Sequence, residues 1–498
     1  MKALFRTDAS PEIGSGHVMR CLALAQAWRD LGRGAVFAAA GDLGTFGLRV
    51  AKEGLETRRI SAIAGSGEDA EQTAAFARDM AAGWVVLDGY HFTSDFAQAL
   101  RKRGLQILAL DDYGHSDHRH ANIVLNQNIQ ASSELYSSCV APTRLLLGTR
   151  YALLRREFWP WRGMSRKVSA DARRVLVTFG GSDPLNVTGK VMQALRQVSR
   201  VFDLAVKVVI GGANSHASEL AALARTMPGK IEVVIDTDNM PSLMDWADVA
   251  ITAGASTSWE LLLLGIPQIL LPFAENQMPV AEGQAEQGVA INLGPSSVVT
   301  EEQIVKTLGM LVRDPDRRAA MAAKGRSMVD GWGGTRVATA MAEASLCLRP
   351  ACAEDARLLW DWANEPAVRA ASFSTANISW ETHVAWLSAK LSNPDCLLLL
   401  AAEGDGEPIA QIRFDFSAEI VEIAVSIDSA ARGRGWGAAV IGAGVNYVRH
   451  YRAGVTQFHA YVKPENQPSL SAFARAGFSR VGDVVRDGTP AIHFTLFA

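Results

Sequence analysis

The chain has 498 residues, of which 48% are hydrophobic and 20% charged, and its formal net charge is −3 at pH 7. This composition is typical of a globular protein, and ~150 residues per domain predict about three domains. A nearly neutral chain lacks the strong positive charge with which many proteins bind nucleic acid or anionic membranes. We therefore expect neither of these as a partner.

Cysteines and apolar runs indicate the cellular compartment. The five cysteines are scattered and lack metal-ligand spacing, which favours a reducing environment over a disulfide framework. The opening MKALFRTDASPEIG has no apolar segment of the kind that a signal peptide carries. The most apolar run, residues 261–273, is interrupted by Gly265 and Pro267 and falls short of the ~20 residues that span a bilayer. The sequence thus predicts a cytoplasmic protein.

Residues 1–345 alternate between strand-like and helical patterns. Apolar runs such as KALFRTD and WVVLDGY are separated by amphipathic stretches, and the alternation resumes after a polar, aromatic segment at 158–174. Alternation of this kind predicts βαβ units and parallel sheets. We expect one α/β lobe at 1–158 and a second at 159–345, with a cleft between the carboxyl ends of their strands.

The stretch FRTDASPEIGSGHVMRCLAL, residues 5–24, places His17 where a strand gives way to a helix. The helix is expected to end at Gly32 and to bury one face. That face carries Val18, Cys21, Leu22, Ala25 and Trp28. The positive end of the helix dipole disfavours an imidazolium ion, which leaves a neutral His17 available as a general base. The alternative is a histidine that only caps a turn shaped by Gly14 and Gly16.

Three loops of the second lobe could bind a nucleotide. VTFGGSDPLN leads from a strand into a glycine pair followed by Ser182 and Asp183. In residues 251–277 a small-residue loop leads into a helix expected to begin near Ser256, and AENQ follows the next strand. Backbone N–H groups in such loops can bind a diphosphate, and Glu260 could reach a ribose. Each loop alone could be an ordinary turn, but three facing one cleft favour binding of a nucleotide sugar.

A resemblance to a known family rests on FRTDASPEIGSGHVMR, LDGYHF and FGGSD, which occur in that order. These motifs resemble the UDP-sugar hydrolases of pseudaminic acid biosynthesis. TAGASTSWELLLLGIPQILLPFAENQ also resembles the nucleotide-sugar signature of two-lobed glycosyltransferases of the peptidoglycan type. The resemblance covers about residues 1–345 and implies two Rossmann-like lobes with a central cleft, a GT-B-like fold.

The resemblance to these hydrolases also implies residue roles. His17 would activate the water that attacks the anomeric carbon and releases UDP with inversion, and Tyr90 and Asn276 would lie on the sugar side. UDP leaves readily when N–H donors meet its developing charge, so no second carboxylate is required. The residues expected to bind the UDP-sugar are Arg6, Asp8, Gly14, Gly16, Gly181, Ser182, Ser256, Thr257, Glu260 and Gln277.

One segment of the cleft loops has metal-ligand chemistry. It carries Asp111, Asp112, His115, His118 and His120. We expect this segment to be a solvated polar loop rather than a metal site, and hydrolysis to need no metal.

Near residue 345 the pattern changes to that of a separate α+β domain, expected over 346–498. The strand-like runs in CLLLLAAEGDGEPIAQIRFDF and EIVEIAVSID are joined too closely for an intervening helix, which predicts antiparallel pairing. IDSAARGRGWGAAVIGAGVNYV then leads from a strand into an apolar helix. The first N–H groups of that helix could hold a pyrophosphate.

This glycine-rich loop and YVKPENQPSLSAFARAGF resemble the acetyl-CoA-dependent N-acetyltransferase superfamily. The segment that opens the domain is similar to acetyltransferases of the pseudaminic acid pathway, which acetylate the 4-amine of a UDP-linked amino sugar. The resemblance implies acetyl-CoA as co-substrate. The residues expected to bind it are Val425, Arg432, Gly433, Gly435, Trp436, Gly437, Ala438 and Asn466.

The domain departs from the superfamily pattern at Phe473, where many members have a tyrosine that protonates the leaving thiolate. Another group or water would supply that proton, or the thiolate would leave unassisted. Glu422, on the strand before the glycine-rich loop, is the candidate base, and the alternative for it is a salt-bridged strand carboxylate. His383 is expected to be structural.

Together these patterns predict a bifunctional enzyme. Its C-terminal domain would acetylate a UDP-amino-trideoxy sugar, and its first two lobes would hydrolyse UDP from the product. One alternative is a UDP-sugar glycosyltransferase fused to an acetyltransferase, in which added acceptors would accelerate UDP release. The other is a non-catalytic binding module, which would bind nucleotide sugar or acetyl-CoA tightly without turnover.

Overall fold

The computed structural model describes residues 1–9, 16–41, 43–139, 143–198, 202–404, 406–418, 420–452 and 454–497. The chain forms two units: the first joins Met1–Arg29 to Arg33–Val337, and the second joins Asp30–Gly32 to Ala338–Ala498. The first unit holds two parallel sheets, one in each lobe, and the second holds a mixed sheet. Within the described ranges, no helix has the length and apolar character that crossing a membrane would require.

Seven parallel strands form the sheet of the first lobe, in the order β3-β2-β1-β4-β5-β6-β7. The strands are β1 (Lys2–Thr7), β2 (Gly34–Ala39), β3 (Glu56–Arg59), β4 (Ala82–Asp88), β5 (Gln106–Leu110), β6 (Ile123–Asn126) and β7 (Arg144–Leu147). The helices are α1 (Gly16–Asp30), α2 (Thr45–Lys52), α3 (Gly67–Asp79) and α4 (Ser94–Arg101). Val85 and Ile107 of the sheet belong to one buried cluster with Ala74 of α3 and Leu100 of α4.

Six parallel strands form the sheet of the second lobe, in the order β10-β9-β8-β11-β12-β13. The strands are β8 (Arg174–Thr178), β9 (Ala205–Ile210), β10 (Lys230–Ile235), β11 (Val249–Thr252), β12 (Gln268–Leu270) and β13 (Ala290–Asn292). The helices are α5 (Val187–Val198), α6 (Ala217–Thr226), α7 (Met240–Trp246), α8 (Ser256–Leu264), α9 (Met278–Glu286), α10 (Glu301–Arg313) and α11 (Pro315–Met328). The next helix, α12 (Gly333–Ala344), begins in the first unit and ends in the second, which resumes at Ala338. Val177 and Ile251 pack with Val191 of α5 and Leu308 of α10 in the core of the second lobe.

Both parallel sheets reverse their strand order at an internal position. β1 lies between β2 and β4, and β8 lies between β9 and β11. Ligands of open α/β sheets bind beyond the carboxyl ends of the strands at such positions. The predicted class of two α/β lobes with parallel sheets is confirmed.

The second unit contains a seven-stranded mixed sheet in the order β14-β15-β16-β17-β18-β20-β19. All its neighbours are antiparallel, as predicted for the first strands, except the parallel pair β17 and β18. The strands are β14 (Leu346–Pro350), β15 (Cys396–Glu403), β16 (Pro408–Ser417), β17 (Ile420–Ile427), β18 (Gln457–Val462), β19 (Ser479–Arg486) and β20 (Thr489–Phe497). The helices are α13 (Ala356–Asn364), α14 (Pro366–Ala371), α15 (Trp380–Leu391), α16 (Trp436–Tyr451) and α17 (Gln467–Arg475).

Alternation along β18 separates the two faces of this sheet. Phe458 and Ala460 are buried in a cluster with Val440 and Ile441 of α16. The residues between them are half-buried and polar or aromatic, and they point to the opposite face. One face therefore packs in the core, and the other carries half-buried polar and aromatic side chains.

Helix α1 differs from its prediction. It ends at Asp30 rather than Gly32, and eleven of its fifteen residues are buried rather than one face. The segment that crosses between the lobes helps to explain this burial, because Gln26 accepts a hydrogen bond from the backbone N–H of Arg156 at 2.7 Å. The helix is thus buried on more than one side.

Candidate functional site

The carboxyl ends of the first sheet carry a group of polar side chains. Asp88 is the last residue of β4, Asp111 and Asp112 directly follow β5, and Asn128 follows β6. His17 lies in the first turn of α1. Because the strands are parallel, these side chains meet at one edge of the sheet.

His17 is held by a buried carboxylate. Its Nδ1 lies 2.5 Å from Oδ1 of Asp88, whose side chain has no exposed surface. A carboxylate only accepts hydrogen bonds, so Nδ1 carries the proton and a neutral His17 keeps Nε2 as an acceptor. A histidine oriented in this way can act as a general base.

Arg20, one turn after His17, donates hydrogen bonds to two carboxylates. Its Nε and Nη2 donate to the two oxygens of Asp88 at 2.7 and 2.6 Å, and its Nη1 donates to Asp112 at 2.7 Å. Burial alone would raise the pKa of Asp88, but Arg20 and His17 hold it well below its ordinary value. The pKa of Asp112 is lowered in the same way, against its burial, by Arg20. Asp88 therefore stays ionised at neutral pH and fixes the tautomer of His17.

Tyr90 connects the two lobes. Its hydroxyl donates to Asp112 at 2.7 Å and accepts from Nδ2 of Asn276, in the loop after β12, at 3.1 Å. Its ring meets that of His17 edge-on, with 5.1 Å between centroids. Burial and the Asp112 charge raise the pKa of Tyr90 well above its ordinary value, so the phenol stays protonated. The structure thus places His17, Tyr90 and Asn276 in one connected group.

Arg6 and Asp8 belong to an internal ion network. Arg6 is fully buried and donates to both oxygens of Asp69 at 2.9 and 2.7 Å, and its Nη1 lies 2.7 Å from Asp8. Burial would raise the pKa of Asp8, but His91, Arg6 and a backbone donor lower it to about 2. The expected contact of Arg6 with a UDP-sugar does not fit this complete burial, and its guanidinium stabilises the lobe instead.

The glycines and Ser182 that were expected to bind substrate fall into three groups. Gly14 lies outside the described residues. Gly16 is exposed where α1 begins. Gly181 and Ser182 are half-buried after β8, and a Cβ at Gly211 would lie 2.3 Å from the carbonyl oxygen of Gly181. Only glycine at 211 allows this close approach of two loops.

Asp183, next to Ser182, has a structural role. Its carboxylate accepts hydrogen bonds from the backbone N–H groups of Val187 and Thr188, both at 2.9 Å. It thereby satisfies free donors at the start of α5 and fixes the glycine loop that precedes them.

Helix α8 begins at Ser256, as predicted. Ser256 and Thr257 are half-buried in its first turn. A Cβ at Gly254 would lie 2.7 Å from the carbonyl oxygen of Gln277, so glycine lets the loop before α8 approach the loop after β12. The free N–H groups and positive dipole at the start of α8 favour an anion.

Glu260 and Gln277 are both held by protein partners. Oε1 of the buried Glu260 accepts from Nη2 of Arg155 at 3.0 Å. Burial raises the pKa of Glu260, although Arg155 opposes the shift. Oε1 of Gln277 accepts from the backbone N–H of Phe273 at 2.9 Å. These bonds fix both side chains beside the start of α8.

The loop after β5 is not the solvated polar loop that the sequence predicts. Asp111 and His118 are buried, and the side chain of His115 is 7% exposed. Oδ2 of Asp111 pairs with Nε2 of His118 and lies 3.2 Å from Nδ1 of His115. Oδ1 accepts from the backbone N–H groups of Tyr113 and Gly114 at 2.7 and 2.8 Å. Asp111 holds the loop inward through its hydrogen bonds with His118 and with the two backbone N–H groups.

Asp111, His115 and His118 are also the residues that could hold a metal ion. One ligand atom from each lies within 4.8 Å of the others, and the described part of the chain offers no second group of this kind. His115 and His118 both lie against Asp111, which brings these atoms together. His120 is bound elsewhere, with its Nε2 3.3 Å from Gln98.

In the second unit, the parallel strands β17 and β18 separate. They pair only at Ile420–Glu422 with Gln457–His459, although both strands, all of whose residues are described, continue beyond this point. Val425 lies on the separated part of β17. Unpaired backbone N–H and C=O groups at such an opening can bind an extended ligand with amide groups.

The loop after β17 enters α16 through two left-handed glycines. Gly433 has φ +74° and Gly435, the N-cap, has φ +71°, a conformation that is strained for other residues. Trp436 and Ala438 are buried, and a Cβ at Gly437 would lie 3.0 Å from α17. The N-terminus of a helix that follows such a glycine loop favours a phosphate group.

Arg432 and Asn466 have protein partners. Nη1 and Nη2 of Arg432 donate to the two oxygens of Glu365, both at 2.6 Å, and its Nε donates to the carbonyl of Ile427 at 3.0 Å. Asn466 caps α17 by accepting from the backbone N–H of Ser469 at 3.2 Å. Arg432 can therefore bind a pyrophosphate only if Glu365 releases it or shares it.

Three further residues differ in how well they match their expected roles. Glu422 lies 2.6 Å from Nη2 of Arg486, which is the salt-bridged alternative for this residue. Phe473 is 3% exposed and stacks on Phe494 in the core, so it cannot supply a proton. His383 is buried, as a structural residue would be, and burial lowers its pKa.

Sequence reasoning missed the residues that hold His17. Asp88 and Arg20 were not identified, and Asp112 was considered only as a metal ligand. Asn128, which donates to Asp112 at 2.8 Å, was also missed. The available signals were Asp88 at the end of the run WVVLD and Arg20 one helical turn after His17.

Comparison with known families gives the class of the protein. Residues 175–331 match the glycosyltransferase family 28 C-terminal domain, and residues 345–479 match the acetyltransferase (GNAT) domain. The chain therefore combines a two-lobed, glycosyltransferase-like region with a GNAT domain.

Individual relatives identify the two-lobed region further. The UDP-2,4-diacetamido-2,4,6-trideoxy-beta-L-altropyranose hydrolase of Campylobacter jejuni is 25% identical over 293 residues, 58% of this chain and 98% of the relative. The spore coat polysaccharide biosynthesis protein SpsG of Bacillus subtilis is 31% identical over 195 residues, 39% of this chain and 57% of the relative. An uncharacterized protein of Methanocaldococcus jannaschii is 24% identical over 493 residues, 96% of this chain and 97% of the relative. The chain is a fusion of a homologue of the hydrolase with a GNAT domain.

Proposed function

We propose that the protein is a bifunctional nucleotide-sugar enzyme. Its second unit acetylates the 4-amine of a UDP-amino-trideoxy sugar. Its first unit hydrolyses UDP from the resulting UDP-2,4-diacetamido-2,4,6-trideoxyhexose, as in pseudaminic acid biosynthesis. The observation that carries the hydrolytic part is the 2.5 Å contact of His17 with the ionised Asp88, in a chain homologous to such a hydrolase.

In the hydrolytic step His17 is the base. With Nδ1 donating to Asp88, Nε2 takes a proton from water as the water oxygen bonds to the anomeric carbon. The bond from that carbon to the diphosphate oxygen breaks on the opposite face, so the configuration inverts. Tyr90 and Asn276, hydrogen-bonded at 3.1 Å, lie on the sugar side.

The departing UDP needs stabilisation of its charge more than it needs an acid. The start of α8 with Ser256 and Thr257, and the loop of Gly181 and Ser182, supply backbone N–H groups for the diphosphate. Glu260, buried beside them, would accept hydrogen bonds from the ribose. These contacts make a second carboxylate of the glycosidase kind unnecessary.

In the second unit acetyl-CoA is the co-substrate that brings the acetyl thioester. The left-handed Gly433 and Gly435 fit a pyrophosphate at the start of α16, and the opening between β17 and β18 fits an extended amide chain. The acceptor amine then approaches from the polar face of the sheet.

We expect Gly435→Phe to weaken acetyl-CoA binding by at least ~100-fold, because several N–H to phosphate hydrogen bonds of ~1.5–3 kcal/mol each would be lost. The substitution strains a backbone at φ +71°, and its Cβ would lie 2.4 Å from a side-chain carbon of Leu31, so the loop would have to shift from the conformation proposed to bind the pyrophosphate. Calorimetry measures the affinity. Gly454→Phe, at positive φ but with open space around its Cβ position, is the control for the loss of a left-handed glycine. UDP release from pre-acetylated sugar should persist in the Gly435 variant. Wild-type affinity of that variant for acetyl-CoA would contradict this assignment of the loop.

UDP release should survive exhaustive EDTA treatment, because the proposed site supplies N–H donors rather than metal ligands to the diphosphate. Initial rates of UDP release before and after chelation provide the measurement. Loss of activity that Mg²⁺ restores would instead assign a metal to Asp111, His115 and His118, whose ligand atoms lie within 4.8 Å of one another.

The second candidate is a UDP-sugar glycosyltransferase, favoured by the match of residues 175–331 to a glycosyltransferase domain. A panel of UDP-diacetamido sugars, assayed for UDP release with and without sugar and lipid acceptors, separates the two candidates. Hydrolysis predicts UDP release in water alone that acceptors do not accelerate. Release that requires an acceptor would overturn the hydrolase proposal.

A further inference from the structure

Two histidines touch on the polar face of the mixed sheet. Nδ1 of His459, on β18, lies 2.8 Å from Nε2 of His493, on β20, and the rings stack with centroids 5.0 Å apart. The ring of Tyr461 stacks on that of His493, with ring centroids 4.8 Å apart and an interplanar angle of 10°. The pair is half-buried, so it reaches solvent and is not part of the core.

The hydrogen bonds of this pair determine which ring nitrogens donate and which accept. Nε2 of His459 lies 3.0 Å from Oε1 of Gln457, and an amide oxygen accepts only, so Nε2 carries the proton. Nδ1 of a neutral His459 is then an acceptor and takes its hydrogen bond from Nε2–H of His493. This assignment leaves Nδ1 of His493 unprotonated and able to accept a proton.

The pair lies where β17 and β18 separate. His459 on β18 is opposite Glu422 on β17, at the last position where these two strands pair. His493 on β20 is opposite Tyr461, two residues further along β18. An acceptor that approaches the opening from this face meets the histidines. Glu422, by contrast, is already engaged at 2.6 Å by Arg486.

We propose that the His459–His493 pair, rather than Glu422, takes the proton that the acceptor amine loses during acetyl transfer. This inference rests on the acetyltransferase part of the proposed function. The amine nitrogen bonds to the thioester carbonyl carbon, the carbon–sulfur bond breaks, and the thiolate leaves with the electron pair of that bond. One amine proton passes to Nδ1 of His493, and His459 stabilises the charge through Nδ1.

The surroundings of His459 favour its neutral form. Burial and the neighbouring His493 lower the pKa of His459, while Glu422 opposes the shift. The titratable and charged groups that face the pair are Glu422 on β17, Tyr461 on β18 and Arg486 on β19, and Arg486 is paired with Glu422. Acetyl transfer should therefore fall at low pH, because a protonated His459 can no longer accept the hydrogen bond from Nε2 of His493.

The test compares His493→Gln and His459→Gln with wild type in the full-length protein. We expect kcat for acetyl transfer to fall by roughly 10²-fold or more, the usual weight of a general base. The limb of the pH–kcat profile that belongs to the pair should disappear. Acetyl-CoA affinity by calorimetry and UDP release from pre-acetylated sugar should stay unchanged. His450→Gln is the matched control, because His450 is an exposed histidine of α16 in the same unit.

Wild-type kcat and pH profile in both histidine variants would overturn the proposal, and the same loss in Glu422→Gln alone would return the role to Glu422. The acceptor panel contains UDP-amino sugars and simple primary amines. If wild type acetylates other amines but no UDP-amino sugar, the proposed substrate is wrong, and the same variants still test the pair with the amine that works. Transfer to no amine at all would overturn both.

Discussion

UDP release by His17→Asn should be roughly 10²–10⁴-fold slower than by wild type, the range over which general base catalysis contributes. Asparagine can still donate a hydrogen bond to Asp88 and so keeps the buried carboxylate paired, but it has no nitrogen that accepts a proton from water. Single-turnover release of UDP from the diacetamido sugar measures the effect. Acetyl transfer should be unchanged, because His17 lies in the other unit.

His216→Asn is the matched control, since His216 lies in the second lobe at the start of α6 and outside the group around His17. It should leave UDP release at the wild-type rate. Near wild-type hydrolysis in the His17 variant would end the assignment of His17 as the base, whatever the control shows.

Without acetyl-CoA, the protein should release almost no UDP from the unacetylated UDP-amino sugar. The 4-amine is largely an ammonium ion near neutral pH, whereas the acetylated product is neutral at that position. A pocket shaped for an acetamide would have to remove water from a charge without a partner, at a cost of several kcal/mol. Binding would be suppressed by orders of magnitude. With acetyl-CoA present, UDP release should lag and then follow acetylation.

Free UDP is followed in parallel tubes with and without acetyl-CoA. A third tube contains pre-acetylated sugar and no acetyl-CoA, and it should release UDP without a lag. Equal release of UDP from the amino sugar in the first two tubes would contradict the proposed order of reactions. It would also remove the main chemical reason for joining these two activities in one chain.

The architecture could be predicted because it follows from local patterns. Apolar runs alternating with amphipathic stretches determine both parallel sheets, and the short connections at 404–406 and 418–419 determine antiparallel pairing in the second unit. The start of α8 at Ser256 was predicted for the same reason, because a small-residue loop after a strand precedes an apolar run.

Partners that are distant in the chain could not be predicted from such patterns. Asp88 contacts His17 across 71 residues, and Arg20 reaches Asp112 across 92 residues. A strand-end aspartate has the same appearance in the sequence whether it binds a ligand, caps a helix as Asp183 does, or orients a histidine. Only the order of the strands in the sheet decides among these roles.

Polar sequence was also a poor guide to burial. The loop around Asp111 contains mostly polar residues and was expected in solvent, yet two histidines and two backbone N–H groups turn inward to one carboxylate. Arg6 is buried for a similar reason, since two carboxylates form ion pairs with its guanidinium. Paired charges remove the cost that normally keeps such residues exposed.

The opening between β17 and β18 links the binding of a coenzyme in the second unit to the stability of that unit. Beyond Glu422 and His459 each strand is paired on one side only, so the sheet lacks part of a strand. A coenzyme whose amides fill this place completes the ladder of main-chain hydrogen bonds and binds the folded unit alone. At a hundred times its dissociation constant, such a ligand adds about 2.7 kcal/mol to the free energy of unfolding. Acetyl-CoA would then protect the second unit against unfolding as well as supply the acetyl group.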